Sequence, residues 1–274
     1  NLIDYISAFL FEKGFKIILF IFINSAVIKY LGPENFGLIA FFNSLFAIFI
    51  PLGKLGLEGT LINKLVKEEK DKESLLSNGI LLQFMSGFLL TIIFWIYLFI
   101  NYSSDSTELK IGFLISSSFI FNTCQASFYW FQARGKILSS SITNSLIFIL
   151  FSILRLIFIN QKLNTEFFAL LIFLESIFLF FGRIILLKYS IFIKLRNSFS
   201  LKKCKNLILN SWPLIISSTL VIQIYNLTII MVGIYGGNLE VGYFGAAMTI
   251  MNGIYLIPQA IVGSLRPRLY KIFN

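Results

Sequence analysis

Residues 29–59 read KYLGPENFGLIAFFNSLFAIFIPLGKLGLEG. The run is apolar and long enough to cross a bilayer, which takes about 20 helical residues. Three features interrupt it. It opens on Gly32-Pro33, a pair that reads as a tight turn between two helices. Pro51 lies deep inside it and removes a backbone hydrogen bond. Lys54 and Glu58 stand near its end. Two readings of the last part remain side by side. Pro51 marks a kink whose freed carbonyl is re-satisfied by neighbouring helices or a cavity, or Pro51–Gly59 is a helix end leaving the membrane. Gly53, Gly56 and Gly59 would let helices approach closely or bend.

The rest of the chain has the same character. Of 274 residues, 57% are hydrophobic and only 13% charged, and the mean hydropathy is +0.84. Soluble domains carry about a quarter charged residues. Successive apolar runs, each bounded by polar residues, predict transmembrane helices. They fall at Phe15–Leu31, Phe36–Leu57, Leu75–Tyr102, Ile111–Phe131, Ser139–Ile159, Phe167–Lys188, Leu207–Tyr235 and Val241–Gly263. The runs are continuous in Ile, Leu and Phe and lack the alternation of a β-barrel. The expected fold is therefore an all-α integral membrane protein, a polytopic helical bundle of about eight spans.

Basic residues set the expected orientation. Lys64, Lys67, Lys70 and Lys72 share one side with Arg134 and Lys136, with Lys194, Arg196, Lys202, Lys203 and Lys205, and with Arg266, Arg268 and Lys271. The opposite connections hold Lys29, Lys110 and Lys162, offset by Glu34, Asp105, Glu108, Glu166 and Glu240. The amino terminus is expected to be cytoplasmic. The net charge of +10 is then mainly a topology signal: it favours anionic lipid of the bilayer and argues for no nucleic-acid partner. Cys124 lies in a span and Cys204 in a predicted cytoplasmic loop, so no disulfide is expected. No cleavable signal peptide is visible.

The opening stretch has an echo in GIYGGNLEVGYFGAAMTIMNGIYLIPQAIVG, residues 233–263. Each copy has a span ending in Tyr, a Gly-containing turn with one Glu (Glu34, Glu240), a Gly opening the next span (Gly37, Gly242) and a deep Pro (Pro51, Pro258). The offset of roughly 205 residues is the scale of a transporter half. Residues 1–205 are read as a six-helix lobe ending in a basic inter-lobe loop, Tyr189–Asn206. That loop is either a plain connection or a surface helix coupling the halves. Residues 206–274 are read as the first two helices of a second, incomplete lobe, about four helices short by the parallel-repeat logic.

Four blocks carry a family resemblance: YLGPENFGLIAF, FYWFQARGK (Phe128–Lys136), NSWPLIISSTLVIQIYN (Asn210–Asn226) and EVGYFGAAMTIMNGIYLIPQAI (Glu240–Ile261). Together they resemble Wzx-type O-antigen and polysaccharide flippases of the multidrug/oligosaccharidyl-lipid/polysaccharide exporter superfamily. The resemblance implies a two-lobed fold like that of the MATE exporters, an inverted V around a central cavity. It also implies movement of an undecaprenyl-pyrophosphate-linked oligosaccharide, an O-antigen or capsule repeat unit, from the cytoplasmic to the periplasmic leaflet of a bacterial inner membrane. On this reading the protein is not an enzyme and serves lipopolysaccharide or polysaccharide export. Beyond its lipid-linked substrate, a polysaccharide polymerase and a chain-length regulator are candidate partners.

Such a substrate has an anionic pyrophosphate, a polar glycan and a polyprenyl tail. A charge at a helix centre costs about 2.5–3.5 kcal/mol on insertion scales, so intramembrane charges are the first candidates. Glu175 lies near the middle of the sixth span. Arg155 lies about 7 Å inside the outer end of the fifth, so the two would pair if both face inward. The pair is either a structural bridge or a switch in which Glu175 exchanges Arg155 for a proton, a sodium ion or a substrate phosphate. Arg183 is expected to snorkel to the cytoplasmic boundary, as Lys29 does to the outer one. Lys54 either meets pyrophosphate from the cytoplasmic side or is a boundary lysine. Asn24, Ser25, Asn43, Gln125, Asn144, Gln223, Asn226 and Asn252 interrupt spans. Amides in lipid mostly bond a neighbouring helix. Gln223 and Asn226 share one face of the seventh span and are candidates for sugar contact. Tyr129 and Trp130, followed by Arg134 and Lys136, read as an interfacial anchor. No cofactor or metal site is expected. The chain has no histidine, so coupling to H+ or Na+ would need a carboxylate.

Two other functions compete. A MATE-like drug or cation exporter would show acidic groups in its cavity, whereas the intramembrane balance here leans basic. A membrane-embedded polysaccharide polymerase would want a large outer loop or an acidic surface motif. The outer connections are short, and KEEKDKE (residues 67–73) sits in a Lys-rich inner loop.

Overall fold

The computed structural model describes residues 2–67, 71–190, 200–251 and 254, and the regular structure among them is helical. The helices are α1 (Leu2–Ala47), α2 (Ile50–Lys54), α3 (Leu57–Lys67), α4 (Lys72–Asn101), α5 (Thr107–Thr123), α6 (Ala126–Ala133), α7 (Ile137–Asn160), α8 (Thr165–Ser190) and α9 (Leu201–Gly236). A further helix, α10, covers residues 238–251.

Gly32 divides α1 into two arms. Its φ of 73° and ψ of 165° are non-helical, a conformation that costs a glycine little. Pro33 then opens the second arm, where a missing N–H breaks no helical bond. The first arm climbs beside α7 and α8. Phe20 meets Phe148 at 6.2 Å and Tyr30 meets Phe168 at 5.7 Å between ring centroids. The Tyr30 hydroxyl donates to the Leu163 carbonyl at 3.0 Å. The second arm descends along α4. Phe42 meets Tyr102 at 5.7 Å and Phe46 meets Phe94 at 4.5 Å. Farther down, the Ser86 hydroxyl donates to the Gly53 carbonyl, and a Cβ on Gly79 would lie 3.0 Å from Leu61. The turn expected at Gly32-Pro33 is thus a single sharp joint between antiparallel arms.

Two spans read as continuous are broken. The second leaves α1 at Ala47, restarts as α2 with Pro51 in its first turn, and stops again where Leu55 and Gly56 both have left-handed φ, 55° and 59°. The segments on either side of the first break are bent by 45°. The bend precedes the proline: Pro51 lies in the first turn of α2, so its ring opens a restarted helix and does not kink a continuous one. The fourth span ends as α5 at Thr123 and resumes as α6 at Ala126. α4, α7 and residues 165–189 of α8 are each long and apolar enough to cross a membrane, and the bent pair makes a fourth candidate.

Ion pairs respect the predicted sidedness. Lys110 and Glu166, expected on one side, meet at 3.5 Å, and Lys203 and Asp71, expected on the other, meet at 3.1 Å. The second side is called the basic end below. Cys204, expected in a loop, instead lies in the first turns of α9, buried, with its thiol 3.2 Å from the Asn78 side-chain oxygen. The Ser200 hydroxyl caps α9, accepting from the Lys203 N–H, and the Ser200 N–H donates to Asn78 Oδ1. Helix therefore continues into what had been read as the inter-lobe loop; residues 191–199 lie outside the described residues. Cys124 and Cys204 are both free thiols.

The repeat recurs as geometry. Gly32 and Gly237 are both non-helical joints with positive φ, 73° and 82°. A Cβ on Gly37 would overlap the Asn238 carbonyl oxygen, and one on Gly242 would overlap that of Pro33. Gly32 and Gly237, Pro33 and Asn238, and Gly37 and Gly242 share the offset of about 205 residues. The contact is therefore reciprocal, as at a two-fold axis. Pro258 and Gly263 lie outside the described residues.

Ala40 and Gly245 share the same offset and face each other, with 3.1 Å between the Ala40 Cβ and one built on Gly245. Disulfides need Cβ atoms about 3.5–4.5 Å apart, within a small adjustment of this spacing. With the native cysteines replaced by serine, Ala40→Cys/Gly245→Cys is expected to cross-link within one chain under mild oxidation. Mobility on non-reducing gels reads the result, and a pair that stays reduced would refute the contact.

Candidate functional site

The two helix breaks meet at one side chain. Helices that end inside an apolar environment leave N–H and C=O groups without partners, and no lipid group can take them. Gln83 of α4, 0% exposed, supplies the partners from a neighbouring helix. Its Oε1 accepts from the N–H groups of Gln125 and Ala126, both at 2.8 Å, and so caps the start of α6. Gln125, at the N-cap position, makes no capping bond with its own side chain. Gln83 Nε2 donates to the Lys54 carbonyl at 3.1 Å, at the end of α2. Because Oε1 serves two donors and Nε2 one acceptor, the orientation of the amide is fixed. Thr123 Oγ1 adds a bond to the Gln83 carbonyl at 3.4 Å.

A cation sits against this knot. Arg183 of α8 is 8% exposed. Its Nη1 donates to Gln125 Oε1 at 2.9 Å and its Nε to Asn144 Oδ1 of α7 at 3.0 Å, and the guanidinium stands 5.8 Å from the Phe128 ring. The snorkelling expected of Arg183 does not occur: two amide oxygens offered by neighbouring helices hold it inside the bundle. No ion pair joins Arg183 to a carboxylate among the described residues. Lys54, half-buried at the end of α2, lies within electrostatic reach of Glu58 and Arg183. Six helical segments thus deliver Lys54, Glu58, Gln83, Gln125, Asn144 and Arg183 to one polar core near the basic end.

The second charged feature is the expected pair. Arg155 Nη2 donates to Glu175 Oε2 at 2.5 Å, and the side chains are 14% and 16% exposed. The hairpin of α7 and α8 brings both charges onto its shared face.

Lys29, Asn24 and Asn43 do not reach either feature. Lys29 is exposed near the opposite end. Asn24 Nδ2 donates to the Phe20 carbonyl of its own helix at 2.8 Å, and Asn43 does likewise to Ile39 at 3.0 Å. Asn226 is half-buried in α9, and the side chain of Gln223 lies outside the described residues. Tyr129 and Trp130 are each 2% exposed and pack with Leu57, Leu61 and Leu76. They are core residues of α6, not the expected interfacial anchor, because the break at Cys124–Gln125 turns α6 into the bundle. Arg134 stacks over the Trp130 ring at 4.9 Å.

Gln83 was not among the expected residues. Its signal is an amide in the apolar run GILLQFMSG, a pattern that marks a bond to another helix without saying to which.

A family model described as polysaccharide biosynthesis protein matches residues 2–273. No curated protein and no solved structure matches the chain significantly.

Removing one member of a buried pair costs about 3–5 kcal/mol, because the partner charge is left without compensation. Arg155→Leu and Glu175→Leu are each expected to lower the melting temperature of the purified protein by several degrees. The exchange Arg155→Glu/Glu175→Arg is expected to recover most of that loss. A swap no better than the single variants would mean that the two side chains are not paired.

Proposed function

The chain belongs to the polysaccharide biosynthesis protein family, and from that premise we propose that it is a flippase for a lipid-linked oligosaccharide. Its cargo is an undecaprenyl-pyrophosphate-linked repeat unit of the O-antigen or capsule type. The cargo moves from the cytoplasmic leaflet, at the basic end, to the periplasmic leaflet of a bacterial inner membrane. The observation that carries this reading is the buried Arg183, held by amides beside Lys54.

A guanidinium bonded to amides keeps its full positive charge and several free N–H donors. Phosphate oxygens are strong acceptors for such a group. The transferred lipid is moved without bond breaking, so the residues' work is to offset desolvation of the diphosphate while the tail stays in hydrocarbon. Lys54 and Arg183 act as the first cationic contacts above the basic end. Arg155, occupied by Glu175 at rest, is a second. Protonation of Glu175, or its exchange for a sodium ion, would release Arg155 to the substrate and couple transport to an ion gradient. On the reading that residues 206–274 open a second lobe, α1, α9 and α10, which pack together through Gly37 and Gly242, would lie where the two halves meet.

The test is complementation. The gene, expressed to its natural ends in a bacterium that lacks its own flippase but makes a matching lipid-linked repeat unit, is expected to restore surface polysaccharide. Lys54→Ala and Arg183→Gln are expected to lower surface polysaccharide at least about tenfold at equal membrane levels, the scale of a lost charge-assisted bond. Full restoration by both variants would remove the cations from the mechanism. No restoration with a verified glycan, together with a gain of drug efflux, would favour an exporter.

A further inference from the structure

We infer that Gln83 is a positioning residue that couples the two helix breaks, so that the end of α2 and the start of α6 move as one unit and carry Lys54 and Arg183 with them. The functional half of this inference rests on the proposed role of those cations; the mechanical half does not.

The geometry runs in an unbroken chain. The Gln83 amide grips the Lys54 carbonyl with its nitrogen and the first N–H groups of α6 with its oxygen. One of those N–H groups belongs to Gln125, whose own Oε1 accepts from Arg183. Arg183 in turn donates to Asn144. A displacement of the α5–α6 break therefore shifts the acceptor that orients Arg183, and the same amide pulls on the backbone of Lys54. Ser86, one turn along α4, adds a second tie from α4 to α2 through the Gly53 carbonyl, but it makes no bond to α6. Among the described residues Gln83 is the side chain bonded to both breaks.

The surroundings leave little alternative support. A Cβ on Gly87 would approach the Ile120 backbone at 3.2 Å, and one on Gly53 would lie 3.1 Å from a Phe119 ring carbon. α4 and α5 thus meet almost backbone to backbone at Gly87, and Gly53 of α2 packs directly on the Thr123 and Phe119 side chains, which leaves little room beside the amide. Loss of Gln83 removes the partner of the Ala126 N–H and of the Lys54 carbonyl at once, while the Gln125 N–H keeps its bond to the Thr123 carbonyl at 2.9 Å.

Hydrogen exchange on the full chain in detergent tests the mechanical half. Gln83→Met keeps the length and loses the side-chain amide bonds to both breaks. It is expected to raise exchange at least about fivefold in residues 52–58 and 122–128 together. Ser86→Ala is expected to raise it near residues 52–58 alone. If Gln83→Met yields no folded protein, Gln83→Asn, one methylene shorter, takes its place with the same expectation. Loosening of one break only, or of neither, overturns the coupling.

Binding of farnesyl diphosphate, a short polyprenyl diphosphate, tests the functional half by a double-mutant cycle. Gln83→Met is expected to weaken binding about tenfold in the wild-type background and not to weaken it further in Arg183→Gln. Equal losses in both backgrounds would show that Gln83 does not act through Arg183. If the wild-type protein does not bind farnesyl diphosphate, the proposed role of the cations fails, while the exchange result still decides the coupling.

Discussion

A helix that stops inside a bilayer leaves polar backbone groups that lipid cannot bond, and each costs several kcal/mol if nothing takes it. This chain stops two neighbouring helices, at Lys54 and at Thr123, within its apolar bundle. The buried amide of Gln83 meets both ends, and much of the site's geometry follows from that. A hydroxyl would bridge less well, because its single donor and its acceptor share one atom. A carboxylate accepts but cannot donate while charged. An amide has an acceptor and donors on separate atoms, so it fits between the carbonyl end of one helix and the N–H end of another.

The broken ends also explain where the polar side chains collect. Interrupting α5–α6 turns Gln125 toward the bundle interior, and a second amide on α7, Asn144, faces it across Arg183. The two intramembrane arginines differ for this reason. Arg155 has a carboxylate on the adjacent helix and closes on it. Arg183 finds two neutral oxygens, which bind the guanidinium without cancelling its charge. The first arrangement suits a bridge that must be exchanged before it can act, and the second suits a site already charged for an anion.

The apolar spans that form α4, α7 and α8, the joint at Gly32 and the Arg155–Glu175 pair were legible in the sequence because each depends on local pattern. Runs of Ile, Leu and Phe set length, a Gly-Pro pair sets a joint, and two charges in one hairpin set a pair. The breaks at Leu55–Gly56 and Cys124–Gln125 were not. The first hid inside a glycine cluster that reads equally well as close packing. The second has no glycine or proline at all and exists because α4 offers a cap from outside the segment. Arg183 and Trp130 were misassigned for the same reason. Their positions near a span end predict exposure, and only the inward turn of α6 buries Trp130 and brings Gln125 to Arg183.

The matched glycines connect this local account to the contact between α1 and the α9–α10 joint. Gly37 and Gly242 each admit a carbonyl of the other copy's joint, at Asn238 and Pro33. A side chain at either glycine would separate the joints, so the residue type is fixed by the contact. That contact lies at the end of the bundle marked by Tyr30 and Leu163, away from the basic end. There α9 is tied to α3 and α4 by different bonds: Thr60 donates to the Asn210 carbonyl, and Lys203 reaches Asp71 and Ser74. The two contacts differ in kind. One is backbone against backbone with no charge, and the other mixes exposed ionic bonds worth about 1 kcal/mol or less each with buried contacts: Asn78 with Ser200 and Cys204, Leu207 in the core, and Gly56 against the Ser211 carbonyl. The basic end, nearer Lys54 and Arg183, is thus held by packed and polar contacts together.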